Sequence, residues 1–564
     1  MSHKWDYEVD YLVAGTGAAG LSAAITARRN GLNTLVIESM PKWGGTTARS
    51  GGGLWMPANP LMQRDGEDDS IEVAFHYLKE VVGEPGPWSN DARKMAFLTG
   101  IHHFVTMIEE EGVKWHRTNP YPDYYPDLPG GRTTRGIEVK AFNVRKLGKY
   151  RKLVMPGGIP AAMYSNEMNW LSRAWSSPDG FYHGALFVFR NLWGLITGRQ
   201  LVGMGQGLAS ALMWITLKHE TPVWLSSPLK ELVVEDGRVV GAIVEKKGKQ
   251  VRIKASRGVM LAAGGFAHNK EWRMKYQGIP GWSASPQGQL GQGIEAGAKV
   301  GGELAMMEDA WWGATMASVN DNDEYSFLLS ERSDPFSLIV DQVGNRFLNE
   351  SESYVDIGHH ILRHDKETGG KAIPSWLVTD KRHTQKFLNT TTLIPGVKKK
   401  FLEKGEIVQA DTLPELAQKM GVDKEAFLDT IHRFNQFAID GVDQDFQRGR
   451  TTYDKFYSLP SHKPNPNLGT IEKGPFTAYK IYPADLNTKG GLVTDEHARV
   501  LRKDGSVIEG LYAAGNNTAS VMGHTYAGAG STLGPAVVFG FLGALHAAQP
   551  AWRKEVIDGK DLSA

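Results

Sequence analysis

The stretch Asp10-Tyr11-Leu12-Val13-Ala14-Gly15-Thr16-Gly17-Ala18-Ala19-Gly20 decides the fold, together with the segments next in the chain, Leu21 to Asn30, Thr34 to Ile37 and then Glu38. The order is strand, glycine turn, helix, strand and acid. That context turns a weak G-x-G-x-x-G match into a strong dinucleotide-binding signal. Gly15 permits the turn, Gly17 lets a pyrophosphate approach the backbone, and Gly20 lets the helix pack on the strand. The start of the helix then faces the phosphates. Glu38 stands at the end of the second strand, where a carboxylate can bind ribose hydroxyls.

Outward from this unit, Gly44-Gly45-Thr46-Thr47 and Ser50-Gly51-Gly52-Gly53 offer free amides and hydroxyls to a pyrophosphate or a flat ring. Val233-Val234-Glu235-Asp236-Gly237-Arg238-Val239-Val240 reads as a hairpin around Asp-Gly. Gly258 to Gly265 reads as a buried strand ending in small residues, and Gly510-Leu511-Tyr512-Ala513-Ala514-Gly515-Asn516 repeats the pattern. Gly534 to Ala548 reads as a largely apolar helix. The cofactor domain is therefore expected to be discontinuous, 1–314 and 489–564, with a domain at 315–488 that is richer in charge and aromatic residues inserted between its parts.

A chain of 564 residues is too long for one ordinary core, and two domains are expected. The 63 Lys+Arg against 62 Asp+Glu give a net charge of +1, which supplies no global attraction for nucleic acid. Zero cysteines exclude disulfides, thiolate metal sites, thiol nucleophiles and a cysteinyl-linked flavin. The 65 glycines exceed a background of about 7% by more than half and imply many tight turns. The N-terminus lacks the pattern of a signal peptide, and no apolar run approaches the roughly 18 residues of a spanning helix. Cytoplasmic residence is the expectation. The adjacent pairs His102-His103 and His359-His360, with His524, lack the spacing that aims imidazoles at one ion, so no metal is expected. No G-x-S-x-G nucleophile elbow is present.

Near the C-terminus, His524-Thr525-Tyr526-Ala527-Gly528-Ala529-Gly530 places a phenol and a flexible backbone on one short loop. A ketone held between the Tyr526 hydroxyl and the Gly530 N–H would be stabilised as it gains enolate charge. With the dinucleotide cradle, this suggests a flavoenzyme acting on a carbonyl compound.

Taken together, the GTGAAG turn, the GGTT loop, PDYY at Pro122 to Tyr125, NRFLNESESYVD from Asn345 to Asp356, TKGGLVTD from Thr488 to Asp495, GLYAAGN and YAGAGSTLG resemble the 3-ketosteroid Δ1-dehydrogenases of the fumarate-reductase-like flavoprotein superfamily. The similarity runs over nearly the whole chain. It implies an α/β fold in which a Rossmann-like FAD-binding domain is interrupted by an α+β, substrate-capping catalytic domain. By motif, Tyr354 matches the family's catalytic base, Tyr124 its assisting neighbour (with Tyr125 adjacent), and Tyr526 with Gly530 the pair that holds the 3-keto oxygen. FAD would be held by Gly15, Gly17, Ala18, Ala19, Gly20, Glu38, Ser39, Gly44, Gly45, Thr46, Thr47, Ser50, Gly51, Gly52, Ala263, Gly264, Gly515, Asn516 and Leu533. The family's usual loop is Tyr-Pro-Gly-Pro-Gly. Here Ala527 and Ala529 replace both prolines, which leaves the loop less preorganised by its own sequence.

The implied reaction removes a proton from carbon 2 and a hydride from carbon 1 of a 3-ketosteroid, with side-chain-bearing sterols such as cholest-4-en-3-one as further substrates and a separate quinone-like or dye acceptor re-oxidising the flavin. Rival readings are a 3-ketosteroid Δ4-(5α)-dehydrogenase, whose loop carries Tyr-x-Ser where this chain has Tyr526-Ala527-Gly528, a fumarate-reductase-like enzyme that would need an arginine clamp such as Arg332 or Arg346, and a non-enzymatic flavin-binding membrane scaffold. Against shorter family members the chain looks expanded at 145–197. This segment opens with Arg145, Lys146, Lys149, Arg151 and Lys152 and continues with Trp170, Trp175, Phe181, Phe187, Phe189, Trp193 and Ile196. Basic residues beside aromatics suit an anionic bilayer, and a lid or subunit contact is the alternative. Oligomeric state is not legible.

Overall fold

The computed structural model describes residues 4–157, 161–318, 325–388 and 396–549. Residues 158–160, within the expected insert, lie outside the described residues.

The opening unit folds as its glycine spacing requires. Strand Tyr7–Ala14 leads through Gly15 into helix Ala18–Arg29, and strand Thr34–Ile37 returns parallel to the first, Leu12 opposite Leu35 and Ala14 opposite Ile37. Gly15 has a φ of +116°, and a Cβ there would come within 2.2 Å of the Ala262 carbonyl oxygen. The helix is alanine-rich, ends on Asn30, and carries Arg28 and Arg29 in its last turn, where cations favour the macrodipole.

The first sheet runs in the order Arg499–Leu501, Val507–Ala513, Lys249–Leu261, Tyr7–Ala14, Thr34–Ile37, Val223–Trp224, with strands Leu229–Glu235 and Arg238–Lys246 added beside Lys249–Leu261. The hairpin turns on Asp236 and Gly237, both with positive φ, as an Asp-Gly turn demands. Strand Val507–Ala513 pairs parallel to Lys249–Leu261, Leu511 opposite Val259, so the closing segment returns to the sheet begun at the N-terminus. The final helix Leu533–Ala548 packs on Ala18–Arg29, with the Ser22 hydroxyl donating to the Val537 carbonyl at 2.6 Å.

The second sheet is antiparallel. It orders Tyr325–Phe327, Ala310–Ala317, Phe476–Thr488, Ser375–Thr379 and Ser337–Val340, with Ile407–Ala410 also on Phe476–Thr488. Helices Tyr354–Thr368, Leu413–Met420 and Lys424–Asp440 accompany it, and a core including Leu338, Val378, Leu416, Phe427 and Phe434 sits beneath the last two. Strand Ala310–Ala317 crosses the expected junction at 314/315. We propose that the catalytic domain begins ahead of Ala310.

Candidate active site

A cavity of about 540 Å³ runs between the two sheets, from the glycine turn to a cluster of phenols. At the first end it is lined by Gly15, Gly17, Ala18, Ala19, Glu38, Ser39, Gly45, Thr46, Thr47, Ser50, Gly51 and Gly52, and further along by Ala263, Gly264, Gly515, Asn516 and Leu533. Two of the expected residues lie behind this lining. Gly20 has no room for a side chain because a Cβ would sit 2.1 Å from the Gly15 carbonyl oxygen, and Gly44 turns the backbone into helix Gly45–Arg49 with a φ of +101°.

The surface fits FAD. The N-cap of helix Ala18–Arg29 is Gly17, which has no side chain to cap it; the Thr47 hydroxyl accepts from the Ala18 N–H at 2.9 Å, and Gly17, Ala18 and Ala19 line the cavity at this helix start. Glu38 stands at the end of the second strand; one carboxylate oxygen accepts from the Thr16 hydroxyl at 2.6 Å and its N–H at 3.1 Å, the other from the Met40 N–H at 3.0 Å. A second helix start without a side-chain cap, Leu533–Ala548, opens at the far end beside the tyrosines.

Tyr354, Tyr124 and Tyr526 come from three separate segments and share this far end, each about 95% buried. Tyr354 is the first residue of helix Tyr354–Thr368. Its ring centroid lies 5.0 Å from that of Tyr526 and 5.6 Å from that of Tyr124. Tyr526 stacks on Tyr124 at 5.1 Å and meets the edge of Trp311 at 5.3 Å. The Gly530 N–H donates to the Tyr526 hydroxyl oxygen at 3.3 Å, and that hydroxyl lies 3.1 Å from the Thr532 hydroxyl. A carbonyl oxygen entering here could accept from both groups in place of the bond between them. Gly530 has a φ of +96°, and a Cβ would meet the Gly53 carbonyl oxygen at 2.3 Å, so the amide can be presented only by glycine.

The alanines at 527 and 529 do not leave the loop loose. The buried Ala527 carbonyl accepts from the Tyr77 hydroxyl at 2.7 Å and from the Tyr124 N–H at 3.0 Å. One carbonyl thus joins the backbone of Tyr124 to the loop of Tyr526, a constraint supplied by long-range bonds where proline would supply it locally. Beneath them the Trp55 indole N–H donates to Asp123 at 2.7 Å, and Arg135 pairs with Asp123 and Asp69, each at 2.7 Å, all fully buried.

Tyr124 faces the cavity. Tyr125 does not: its hydroxyl donates to Asp356 at 2.9 Å. Three further phenols, marked by none of the sequence motifs, extend the cluster. The Tyr453 ring centroid lies 4.5 Å from that of Tyr124, and the Tyr121 and Tyr457 hydroxyls lie 2.6 Å apart. The spacing of Tyr453 and Tyr457 is visible in the sequence, yet nothing local to it points toward a cofactor. Burial pushes the Tyr354 phenol well above its ordinary pKa, and the neighbouring Tyr526 pushes it further; Tyr124 is raised by burial and by Tyr453. Tyr457 is pushed up to about 12, chiefly by burial. Phe327, Leu329, Leu486 and Met168 make apolar walls, and Ser165 completes one side, bonded to the buried Glu138, whose carboxyl burial pushes up to about 8.

The match to the FAD binding domain family covers residues 10–533. The 3-oxosteroid 1-dehydrogenase of Mycolicibacterium smegmatis is 43% identical over 98% of this chain and 99% of its own length. This chain belongs to that family. The Mycobacterium tuberculosis member is 42% identical, over 97% of this chain and 99% of the relative. Among solved structures, the 3-ketosteroid Δ1-dehydrogenase of Sterolibacterium denitrificans in complex with 1,4-androstadiene-3,17-dione superposes with a TM-score of 0.90 at 33% identity, covering 96% of this chain and 99% of that one. The resemblance, the α/β fold class and the FAD cofactor expected from the sequence are therefore borne out: this family member is an FAD-dependent oxidoreductase. Among its described residues no helix is long and apolar enough to cross a membrane.

Proposed function

We propose that the protein carries out the 1,2-dehydrogenation of 3-ketosteroids, converting a 3-oxo-Δ4-steroid to the 3-oxo-1,4-diene. The observation that carries this reading is the meeting of three buried phenols and one glycine amide at the end of the cavity opposite the nucleotide cradle. The α-proton of a ketone is too weakly acidic for a side chain unless the carbonyl oxygen is stabilised as it gains charge. Tyr526 and the Gly530 N–H hold that oxygen, each donor being worth ~3 kcal/mol in a dry site. Tyr354 takes the proton from carbon 2 as its tyrosinate, a far stronger base than a carboxylate. Tyr124 assists by holding the Tyr354 ring edge-on, its own ring packed against that of Tyr453. FAD, when bound, supplies the acceptor for the hydride leaving carbon 1. Leu329, Leu486, Phe327 and Trp311 give the steroid nucleus an apolar bed, and a separate quinone-like or dye acceptor takes the electrons. Anaerobic mixing of the yellow protein with androst-4-ene-3,17-dione or cholest-4-en-3-one should bleach the flavin and yield the 1,4-diene; an unbleached flavin would end the proposal.

A second part of the reading concerns where the enzyme works. Helix Pro178–Ile196 exposes Phe181, Phe189, Trp193, Leu195 and Ile196, the last 78% exposed, and buries only Gly180 and Gly194. Its only charged residues are Asp179 and Arg190, and Arg190 is paired with Glu167 at 2.6 Å. The basic stretch Val144–Lys152 adjoins its C-terminal end, where Gly198 approaches Arg145. This is an interfacial helix beside a cationic collar, and Met163, Ser165 and Met168 of the same segment line the cavity, which suits delivery of sterols from a bilayer. The F189E/W193E/I196E variant, which spares the cavity wall, should stay in the supernatant where the native enzyme pellets with phosphatidylglycerol vesicles. Equal pelleting would remove the membrane reading and leave a lid or subunit contact.

A further inference from the structure

Asp309 belongs to none of the sequence motifs, yet its carboxylate gathers five donors. One oxygen accepts from His359 Nε2 at 2.8 Å, the Trp312 indole N–H at 2.9 Å and the Ala310 N–H at 2.8 Å. The other meets His524 Nδ1 at 3.0 Å and Lys489 Nζ at 3.3 Å. Asp309 and Lys489 are buried, whereas the side chains of His359 and His524 are 32% and 51% exposed.

The sequence positions of these partners give the cluster its meaning. His359 is on the helix that begins with Tyr354, and His524 stands two residues ahead of Tyr526. Lys489 comes directly after the long strand Phe476–Thr488 and places its ammonium 4.6 Å from the ring centroid of Trp311. Trp311 in turn meets Tyr526 edge-on and donates its indole N–H to Asn516 at 3.1 Å in the cofactor end of the cavity. One carboxylate therefore ties the segment of the base, the loop that grips the carbonyl and the tryptophan between loop and cofactor.

We infer that Asp309 is a positioning residue that, through His359, His524 and Lys489, locks the Tyr354 helix and the Tyr526 loop in the mutual register the reaction needs. This inference rests on the proposed dehydrogenation. Proton abstraction from carbon 2 requires the base and the carbonyl-gripping pair to engage neighbouring atoms of one ring, and a misplacement of 1 Å costs about 10²-fold in rate. Two elements from different parts of the chain hold such a register only if a rigid group bridges them, and a buried carboxylate saturated by donors is such a group. Its electrostatics agree. Burial alone would raise the Asp309 carboxyl, but Lys489 and the bonds from the two histidines outweigh it and hold it well below the usual carboxylate range. His524 is raised, first by its bond to Asp309. Facing charges are Glu308, which acts on His524, and Asp356, which acts on Lys489.

The test uses His524, because its half-exposed ring can be replaced without opening the core, whereas Asp309→Asn leaves a buried ammonium without its counter-charge. In anaerobic single turnovers of the holoenzyme with androst-4-ene-3,17-dione, His524→Leu should lower the limiting rate of flavin bleaching by about 10- to 100-fold. FAD content and the steroid Kd from the same titration should stay within about twofold of the native values, and Tm should be unchanged. His524→Gln, whose amide can still donate to Asp309, should recover most of the rate. A native rate in His524→Leu, a glutamine variant no faster than the leucine one, or a rate loss matched by loss of Tm or flavin would each overturn the clamp. A native enzyme that the steroid does not bleach would sink the dehydrogenation itself; a bleached native enzyme with an indifferent His524 would sink only the clamp.

Discussion

Tyr354→Phe is expected to leave the protein yellow and folded while flavin reduction by androst-4-ene-3,17-dione falls by about 10²- to 10⁴-fold, the span a general base contributes. The ring stays, so its edge contacts with Tyr124 and Phe327, at centroid distances of 5.6 and 5.5 Å, are kept; only the oxygen that takes the proton is lost. The pH dependence supplies a second, independent sign. Burial and Tyr526 raise the Tyr354 phenol above its ordinary value, and a base must be ionised to act. Activity of the native enzyme should therefore rise with pH across the neutral and mildly alkaline range, and the residual activity of Tyr354→Phe should lose that slope. Location at the first turn of a helix works in favour of ionisation, since the helix N-terminus stabilises an anion. Normal turnover by the phenylalanine variant would mean that another group takes the proton.

Tyr526→Phe is expected to lower kcat by about 10²- to 10³-fold, the effect of removing one donor to a developing oxyanion. Its ring contacts with Tyr124 and Trp311 survive the change, so FAD content and stability should hold. The two tyrosines can be told apart by the pH profile. Tyr526 is itself one of the causes that raise Tyr354. Removing its hydroxyl should shift the rising limb toward lower pH while depressing the plateau, whereas Tyr354→Phe abolishes the limb. A plateau within about fivefold of the native value would be too small for a lost oxyanion donor and would remove Tyr526 from the carbonyl site.

The cofactor half of the molecule was legible because its signals are local. Gly15, Gly17 and Gly20 owe their identity to neighbours within a few residues, and strand, helix and strand periodicities are properties of short windows. The same holds for the Asp236-Gly237 turn, whose two positive φ values were implied by the residue types alone. At the phenol cluster the sequence offered only types and a family likeness. It could not choose between Tyr124 and Tyr125, adjacent residues of which one lines the cavity and the other is drawn to Asp356. It read Ala527 and Ala529 as a loss of rigidity, because a bond from Tyr77, distant in the chain, has no local signature.

By itself, the sequence determined the nucleotide-binding unit, the return of the C-terminal segment to the first sheet and the set of tyrosines worth attention. The tertiary structure alone decided which phenols meet, how the Tyr526 loop is held, and that Asp309, Lys489, His359 and His524 converge on one another. The reason is physical. Backbone turns and helix starts are set by steric and hydrogen-bonding demands within a few residues, whereas the cavity end is assembled by packing between segments that are distant in the chain.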